Sequence, residues 1–333
     1  MNFFDPFPPP TRPGTVGLIG TVKDEGPWLI EWVAHNKVLG FDEIAVASND
    51  CSDGTDLILD RMEEMGLLTH IDNPGPYKRT IQMDAYYALQ DLPVMRQCEW
   101  LMPMDADEFL VINIGDGTVK ALIEAGDGCH RIPVRWRIFG DSSISGFVDP
   151  PITEKLFQAA RRDDPQNAYF KALVREHHNF EMNVALTTTW RPRARFGPYR
   201  LQKLKYYCDG EIIELPQGGP YGGVIEPVRH HGAQSKTAQI NHYSVRTREL
   251  CQMKRHKGDV NNNQATYGTD AYFNRLNLNH EEDRSALRYA TQRNALMQEW
   301  LCDPRLKELQ QEAVEFTRNR LEVLAGERPE TIG

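Results

Sequence analysis

Leu101-Met102-Pro103-Met104-Asp105-Ala106-Asp107-Glu108-Phe109-Leu110 is the stretch on which the fold of this chain turns. A mostly apolar run from Trp100 to Met104 meets the carboxylates of Asp105, Asp107 and Glu108, and the chain then becomes apolar again. In an extended chain alternate side chains share a face, so Asp105 and Asp107 point one way and Glu108 the other. Two carboxylates on one face at a strand end suit a hard divalent cation that keeps positions open for phosphate oxygens. An isolated Asp-x-Asp is equally compatible with a solvated acidic turn, because so short a motif recurs by accident. Crowded like charges also repel, so deleting one is expected to relax the unliganded chain.

The 333 residues can hold one large α/β domain with additions, or two domains. A hydrophobic content of 40% and a charged content of 26% are those of a soluble globular protein. No stretch approaches the ~18 consecutive apolar residues of a membrane span. Met1 to Gly14 carries five prolines and no signal-peptide pattern, so 1–14 is expected to be an extended leader. Cysteines at 51, 98, 129, 208, 251 and 302 form no CxxC pair, which fits a reduced, cytoplasmic setting. The net charge of −9 argues against general nucleic-acid binding. Its distribution is uneven: residues 1–110 hold 19 acidic and 7 basic side chains, whereas 190–260 hold 13 basic and 6 acidic. An acidic part that could hold a cation and a basic part that could hold phosphates are complementary, though both could equally be solvated faces.

Outward from the acidic stretch, strand and helix patterns alternate. Val16 to Val22 reads as a buried strand. Pro27 suits a first helical turn, Trp28, Leu29, Trp32, Val33 and Leu39 form an apolar stripe, and Gly40 ends the helix. Glu43 to Ser48 is a second strand, followed by the turn-rich Asn49-Asp50-Cys51-Ser52-Asp53-Gly54. Thr55 is placed to cap a helix ending at Gly66. Leu67 to Ile71 is a third strand, Ile81 to Leu89 a helix, and Glu99 to Met104 the fourth strand. This alternation predicts a parallel, Rossmann-like sheet with ligands beyond the carboxyl ends of its strands. The polar groups Lys23-Asp24-Glu25, Asn49 to Gly54 and Asp105 to Glu108 all fall at such ends. Beyond Gly115 the pattern loosens, with a strand over His130 to Phe139, short strands and Pro/Gly-rich loops such as Pro216 to Gly223 over 150–230, and long helices over 283–302 and 305–325.

No GxGxxG follows the first strand, and no P-loop or serine elbow is present. The chain instead resembles the GT-A glycosyltransferases of the family 2-like and family 92-like type. The resemblance rests on Val22-Lys23-Asp24-Glu25 with Glu31-Trp32, on Asn49-Asp50-x-Ser52-Asp53-Gly54-Thr55, and on Asp105-x-Asp107-Glu108-Phe109. Trp136-x-x-Phe139-Gly140-x-Ser142-Ser143, Phe170-Lys171 and Gln239-Ile240-Asn241-His242-Tyr243 follow in the same order. It covers about 15–262, divided into a nucleotide-binding half (15–115) and an acceptor half with a lid (116–262), and leaves 263–333 as a helical extension.

The resemblance implies a metal-dependent, inverting transfer from a nucleotide-sugar, a UDP-sugar, to a glycan or lipid-linked acceptor. Peripheral contact with the inner face of a membrane would be compatible with such an acceptor. Asp105, Asp107 and His242 would hold Mn2+ or Mg2+. Thr21, Lys23, Glu25, Asn49, Asp50, Asp53, Arg79, Asp105 and Ala106 would lie along the nucleotide. Lys254 and Lys257, three apart on a helix expected from Ser244, would meet its phosphates. Glu154 and Asp141 are the alternatives for a base that takes the acceptor proton. The departure of Asp141 from the family's serine leaves that choice open. Asn261 to Gln264 reads as a polar linker. A nucleotidyltransferase of related fold and a non-catalytic glycan-binding protein are the competing classes.

Overall fold

Apolar spacing becomes regular structure in the expected order: β1 (Arg12–Val22), α1 (Gly26–Val38), β2 (Glu43–Ser48), α2 (Thr55–Glu64), β3 (Thr69–Asp72), α3 (Ile81–Gln90), a short α4 (Pro93–Arg96) and β4 (Cys98–Pro103). The computed structural model describes residues 12–175, 177, 180–183, 189–192, 203–216, 228, 230–231, 235–257 and 267–326. The rest of the leader, most of the Pro216 to Gly223 loop and Asn261 to Gln264 therefore lie outside the described residues. β4, β1, β2 and β3 lie side by side and all parallel. Their carboxyl ends converge on one edge, where the loops after β1, β2 and β4 meet.

The second half supplies β5 (Glu108–Ile112), α5 (Val119–Ala125), β6 (Arg131–Ile138), β7 (Gln158–Ala159), β8 (Phe170–Arg175), β9 (Phe180–Asn183), β10 (Thr189–Pro192), β11 (Lys203–Cys208), β12 (Glu211–Pro216) and β13 (Ala238–His242). β8 inserts antiparallel between β4 and β6, giving the order β12-β11-β6-β8-β4-β1-β2-β3. A parallel Rossmann-like half continued through one antiparallel strand is the GT-A arrangement that the resemblance implies. β13 pairs antiparallel with β5, His242 opposite Glu108, and parallel with β6. That pairing joins segments more than a hundred residues apart beside the acidic turn.

Four local expectations are corrected. β1 begins at Arg12, within the expected leader, and its register against β4 shifts between Arg12 and Val16; Gly14 there has φ +75°. Thr55 is the first helical residue of α2 and does not cap it: Gly54 (φ +83°) is the cap, and Asp53 Oδ1 accepts from the Thr55 amide and hydroxyl. β3 starts two residues late, because the Leu67 amide still bonds the Met62 carbonyl behind it. α1 carries no single apolar stripe; every residue from Gly26 to Asn36 is buried.

The C-terminal segment explains that burial. After α6 (Arg248–Lys257), α7 (Asp270–Leu276) and β14 (Glu281–Glu282), helices α8 (Ala290–Trp300) and α9 (Pro304–Gly326) pack across α1. Gly26 permits the close approach, since a Cβ there would sit 2.8 Å from Ala313 Cβ. Arg61 of α2 pairs with Asp303 at 2.6 Å, and Gln310 donates to the Pro27 carbonyl at 2.7 Å. The helices after 263 thus share the core of the sheet.

His35, fully buried in α1, holds β5 through an Nε2 contact of 2.7 Å to the Leu110 carbonyl. Burial pushes its pKa down to about 3. A histidine held neutral in the fold contributes stability above its unfolded pKa and loses it as pH falls through the window from about 6.5 toward 3. Between pH 7 and pH 5 this residue should cost about 2 kcal/mol. Thermal melts of wild type and His35→Gln at both pH values check it; an equal slope in the two proteins contradicts it.

Candidate active site

The acidic turn between β4 and β5 is fixed from several sides. The Glu108 amide donates to the Asp105 carbonyl and the Asp105 amide to Glu108 Oε2, both at 3.0 Å. Trp32 donates to the Glu108 carbonyl at 3.0 Å, and the Tyr243 amide to the Asp107 carbonyl at 2.8 Å. This explains Trp32 and Tyr243 physically: they clamp the backbone that carries the carboxylates.

The carboxylates divide into two groups. Asp105 Oδ1 accepts from Gln82 (2.9 Å) and Tyr86 (3.1 Å) of α3, and Oδ2 from Lys171 (2.9 Å). Lys171, on β8 and 2% exposed, also lies 3.4 Å from Glu108. Burial works against its ammonium, but Asp105 and Glu108 outweigh burial and hold its pKa well above the ordinary lysine value. Burial raises the Glu108 carboxyl, and Lys171 opposes that rise. Asp107 belongs to the other group. Its Oδ2 accepts from Lys254 of α6 at 2.7 Å, and its Oδ1 lies 3.4 Å from His242 Nε2. Burial opposes its charge, but Lys254 and His242 prevail and keep it well below the usual carboxylate range.

Beside Lys254 opens a cavity of about 230 Å3, lined by Lys23 and Asp24 after β1, by Asp50, Ser52 and Asp53 after β2, and by Arg246, among others. Its loops are held in unusual backbone: Asp24 and Asp50 have φ of +51° and +46°. The Asp24 carboxylate accepts from the Ser52 amide at 2.6 Å, joining the two loops. Arg246 (φ +52°) stacks 3.9 Å over Trp28 and pairs with Glu25 at 2.7 Å.

The expected residues are therefore not all placed alike. Lys23, Asp50, Asp53 and Lys254 line the cavity. Asp53 is occupied by Gly26 and Thr55, and Glu25 by Arg246. Buried Asn49, and Thr21 near the end of β1, flank the cavity's loops, whereas buried Ala106 sits in the acidic turn and is not among the lining residues. Arg79 lies over Tyr87 and pairs with Asp84 at 3.1 Å, and is not among the cavity's lining residues. The helix expected from Ser244 begins at Arg248, because Arg246 turns left-handed and Thr247 Oγ1 accepts from the Leu250 amide. The Lys257 side chain lies outside the described residues. Asp141 is engaged by Asn277, Asn279 and the Ser143 amide. Glu154 is held by Arg293 and Asn294. Neither carboxylate lines the cavity. Sequence reasoning missed Arg246 and the α9 residues Phe316, Thr317 and Arg320, which close the far wall. No spacing signal marks any of them.

Of the expected ligands Asp105, Asp107 and His242, only the last two stand together, Asp105 being engaged by Gln82, Tyr86 and Lys171, so the donor set fits a divalent cation in part. Two adjacent ligands on an ion with ~2.1 Å bonds stand roughly 3 Å apart, near the Asp107–His242 separation. The buried His242 Nδ1 has no hydrogen-bond partner, and Nε2 is too far from Asp107 for a strong one. Among the described residues no three His, Cys, Asp or Glu side chains make a complete site. One carboxylate and one imidazole completed by phosphate oxygens and water is a set such ions accept.

No protein-family model matches the chain, and no curated protein sequence matches it. Among solved structures it is similar to S. aureus TarS 1–349 (10% identical, 95% of this chain and 93% of that one covered, TM-score 0.33). Against another crystal structure of TarS the figures are 16%, 49%, 28% and 0.29. Glucosyl-3-phosphoglycerate synthase from Mycobacterium tuberculosis, in complex with Mg2+ and uridine diphosphate, is 11% identical over 50% of this chain and 57% of that one, with a TM-score of 0.29. Scores this low decide nothing about activity.

Proposed function

We propose that the chain is a metal-dependent glycosyltransferase that moves a sugar from a UDP-sugar, with inversion, to a hydroxyl of a glycan or lipid-linked acceptor. The observation that carries the reading is the convergence of Asp107, His242 and Lys254 beside a cavity walled by the loops after β1 and β2. Asp107 and His242 would hold Mn2+ or Mg2+, which neutralises charge as the nucleoside diphosphate departs. The chain's own residues do the rest. Asp24 and Asp50 offer acceptors suited to uracil N–H and ribose hydroxyls. Lys23, Arg246 and Lys254 supply positive charge for the phosphates. Lys171, Gln82 and Tyr86 hold Asp105 in one orientation. The loop Gly20-Thr21-Val22-Lys23-Asp24-Glu25 lacks the glycine-rich turn of a nucleotidyltransferase.

A hydrolysis screen of UDP-, GDP- and CMP-sugars with Mn2+ tests the reading without knowledge of the acceptor. Release of UDP above the other nucleotides supports it, and no release from any donor sinks it. Of the two candidate bases, Glu154 is the one preferred in this reading: its Oε1 is tethered by α8 while its side chain is one-third exposed. Glu154→Gln should lower turnover by roughly a hundredfold with UDP affinity unchanged, the pattern of a group acting in the transition state. Asp141→Asn should do so instead if that carboxylate is the base. Normal rates in both variants would exclude both residues.

A further inference from the structure

The carboxylate proposed to hold the cation already has a cation. Lys254 Nζ stands 2.7 Å from Asp107 Oδ2, and the two side chains are 6% and 14% exposed. A divalent ion arriving alone would share one buried carboxylate with an ammonium, and like charges so placed repel strongly. Lys254 also lines the cavity. Its ammonium is a point charge on a flexible four-carbon stem and can exchange one oxyanion for another without the fixed fork of arginine. A diphosphate in the cavity offers it that second partner.

We infer that Lys254 is a displaceable counter-ion, which neutralises Asp107 in the ligand-free protein and passes to the nucleotide's diphosphate when the metal takes the carboxylate. This rests on the proposed nucleotide-sugar reading and adds a coupling to it. Metal alone binds weakly, diphosphate alone leaves Asp107 short of a cation, and each favours the other. Because binding linkage is reciprocal, each must strengthen the other by the same factor.

The test is calorimetric titration of the full chain with MnCl2 alone, with UDP alone, and with MnCl2 in the presence of saturating UDP. In wild type, UDP should tighten Mn2+ binding by at least about tenfold. In Lys254→Met, Mn2+ alone should bind at least about fivefold tighter than to wild type, and the enhancement by UDP should shrink by a similar factor. Lys254→Arg keeps the charge and should leave Mn2+ alone as weak as in wild type. Unchanged or weaker Mn2+ binding to Lys254→Met, with the UDP enhancement intact, overturns the exchange while leaving the nucleotide-sugar reading standing. Should Lys254→Met not fold, equal Mn2+ affinity of the wild type with and without UDP overturns it. Absence of any UDP binding to wild type, with or without Mn2+, overturns the parent reading and the exchange together.

Discussion

Asp107→Ala is expected to abolish sugar transfer, by roughly a thousandfold or more, and with it the Mn2+-dependent part of UDP binding. The sequence suggests that thinning three crowded acids would also relax the protein. The structure reverses that sign. Asp107 is the partner of a buried lysine at 2.7 Å, so its loss leaves that ammonium without the carboxylate it donates to. Removing one member of a buried pair costs about 3–5 kcal/mol. The second change Lys254→Met, made in the same chain, should recover most of that stability and none of the activity. Thermal melts and UDP release on the two single variants and the double variant measure both quantities. A double variant that regains turnover would show that Asp107 serves the fold alone.

Lys171→Met should give the second largest effect, this time on stability. Lys171 is the one ammonium within salt-bridge distance of both Asp105 and Glu108 among the described residues, and Glu108 is fully buried. Deleting it leaves two carboxylates to share the cost of burial, about 3–5 kcal/mol at neutral pH. Burial and Asp105 already raise the Glu108 carboxyl, and the variant removes the lysine that opposes them. A carboxyl whose folded pKa lies above its unfolded value is at no disadvantage below the unfolded value and becomes destabilising as pH rises toward the folded one. The deficit in Tm against wild type should therefore be small near pH 5 and large near pH 8. An equal deficit at both pH values would mean that Lys171 acts through packing only.

The parallel half was legible because each of its elements carries a local pattern. The apolar run of β1, the short run of β2 and the break at Gly54 need no distant partner to be read. The acidic turn was legible for the same reason. Less accessible was everything fixed by long-range pairing. The register of β13 against β5 puts His242 opposite Glu108, and no local spacing specifies it; only the resemblance pointed to His242. The burial of α1 depends on α8 and α9, more than two hundred residues away in the chain, so its helical stripe seemed one-sided. Lys171 could be matched to a pattern, but its role emerges only once β8 lies beside β4. Arg246 is hidden for a further reason: its left-handed backbone and its stacking on Trp28 are products of the tertiary fold. What holds Glu154 and Asp141 was equally hidden, since their partners Arg293 and Asn277 lie more than a hundred residues further along the chain.

A crystal of the full chain grown with UDP and MnCl2, measured at a wavelength where manganese scatters anomalously, would locate the cation relative to Asp107 and His242. A single strong anomalous peak is expected within about 2.3 Å of both an Asp107 carboxylate oxygen and His242 Nε2, with the diphosphate beside it and Lys254 turned onto a phosphate oxygen. UDP bound with no manganese at Asp107, or manganese bound away from His242, would contradict it.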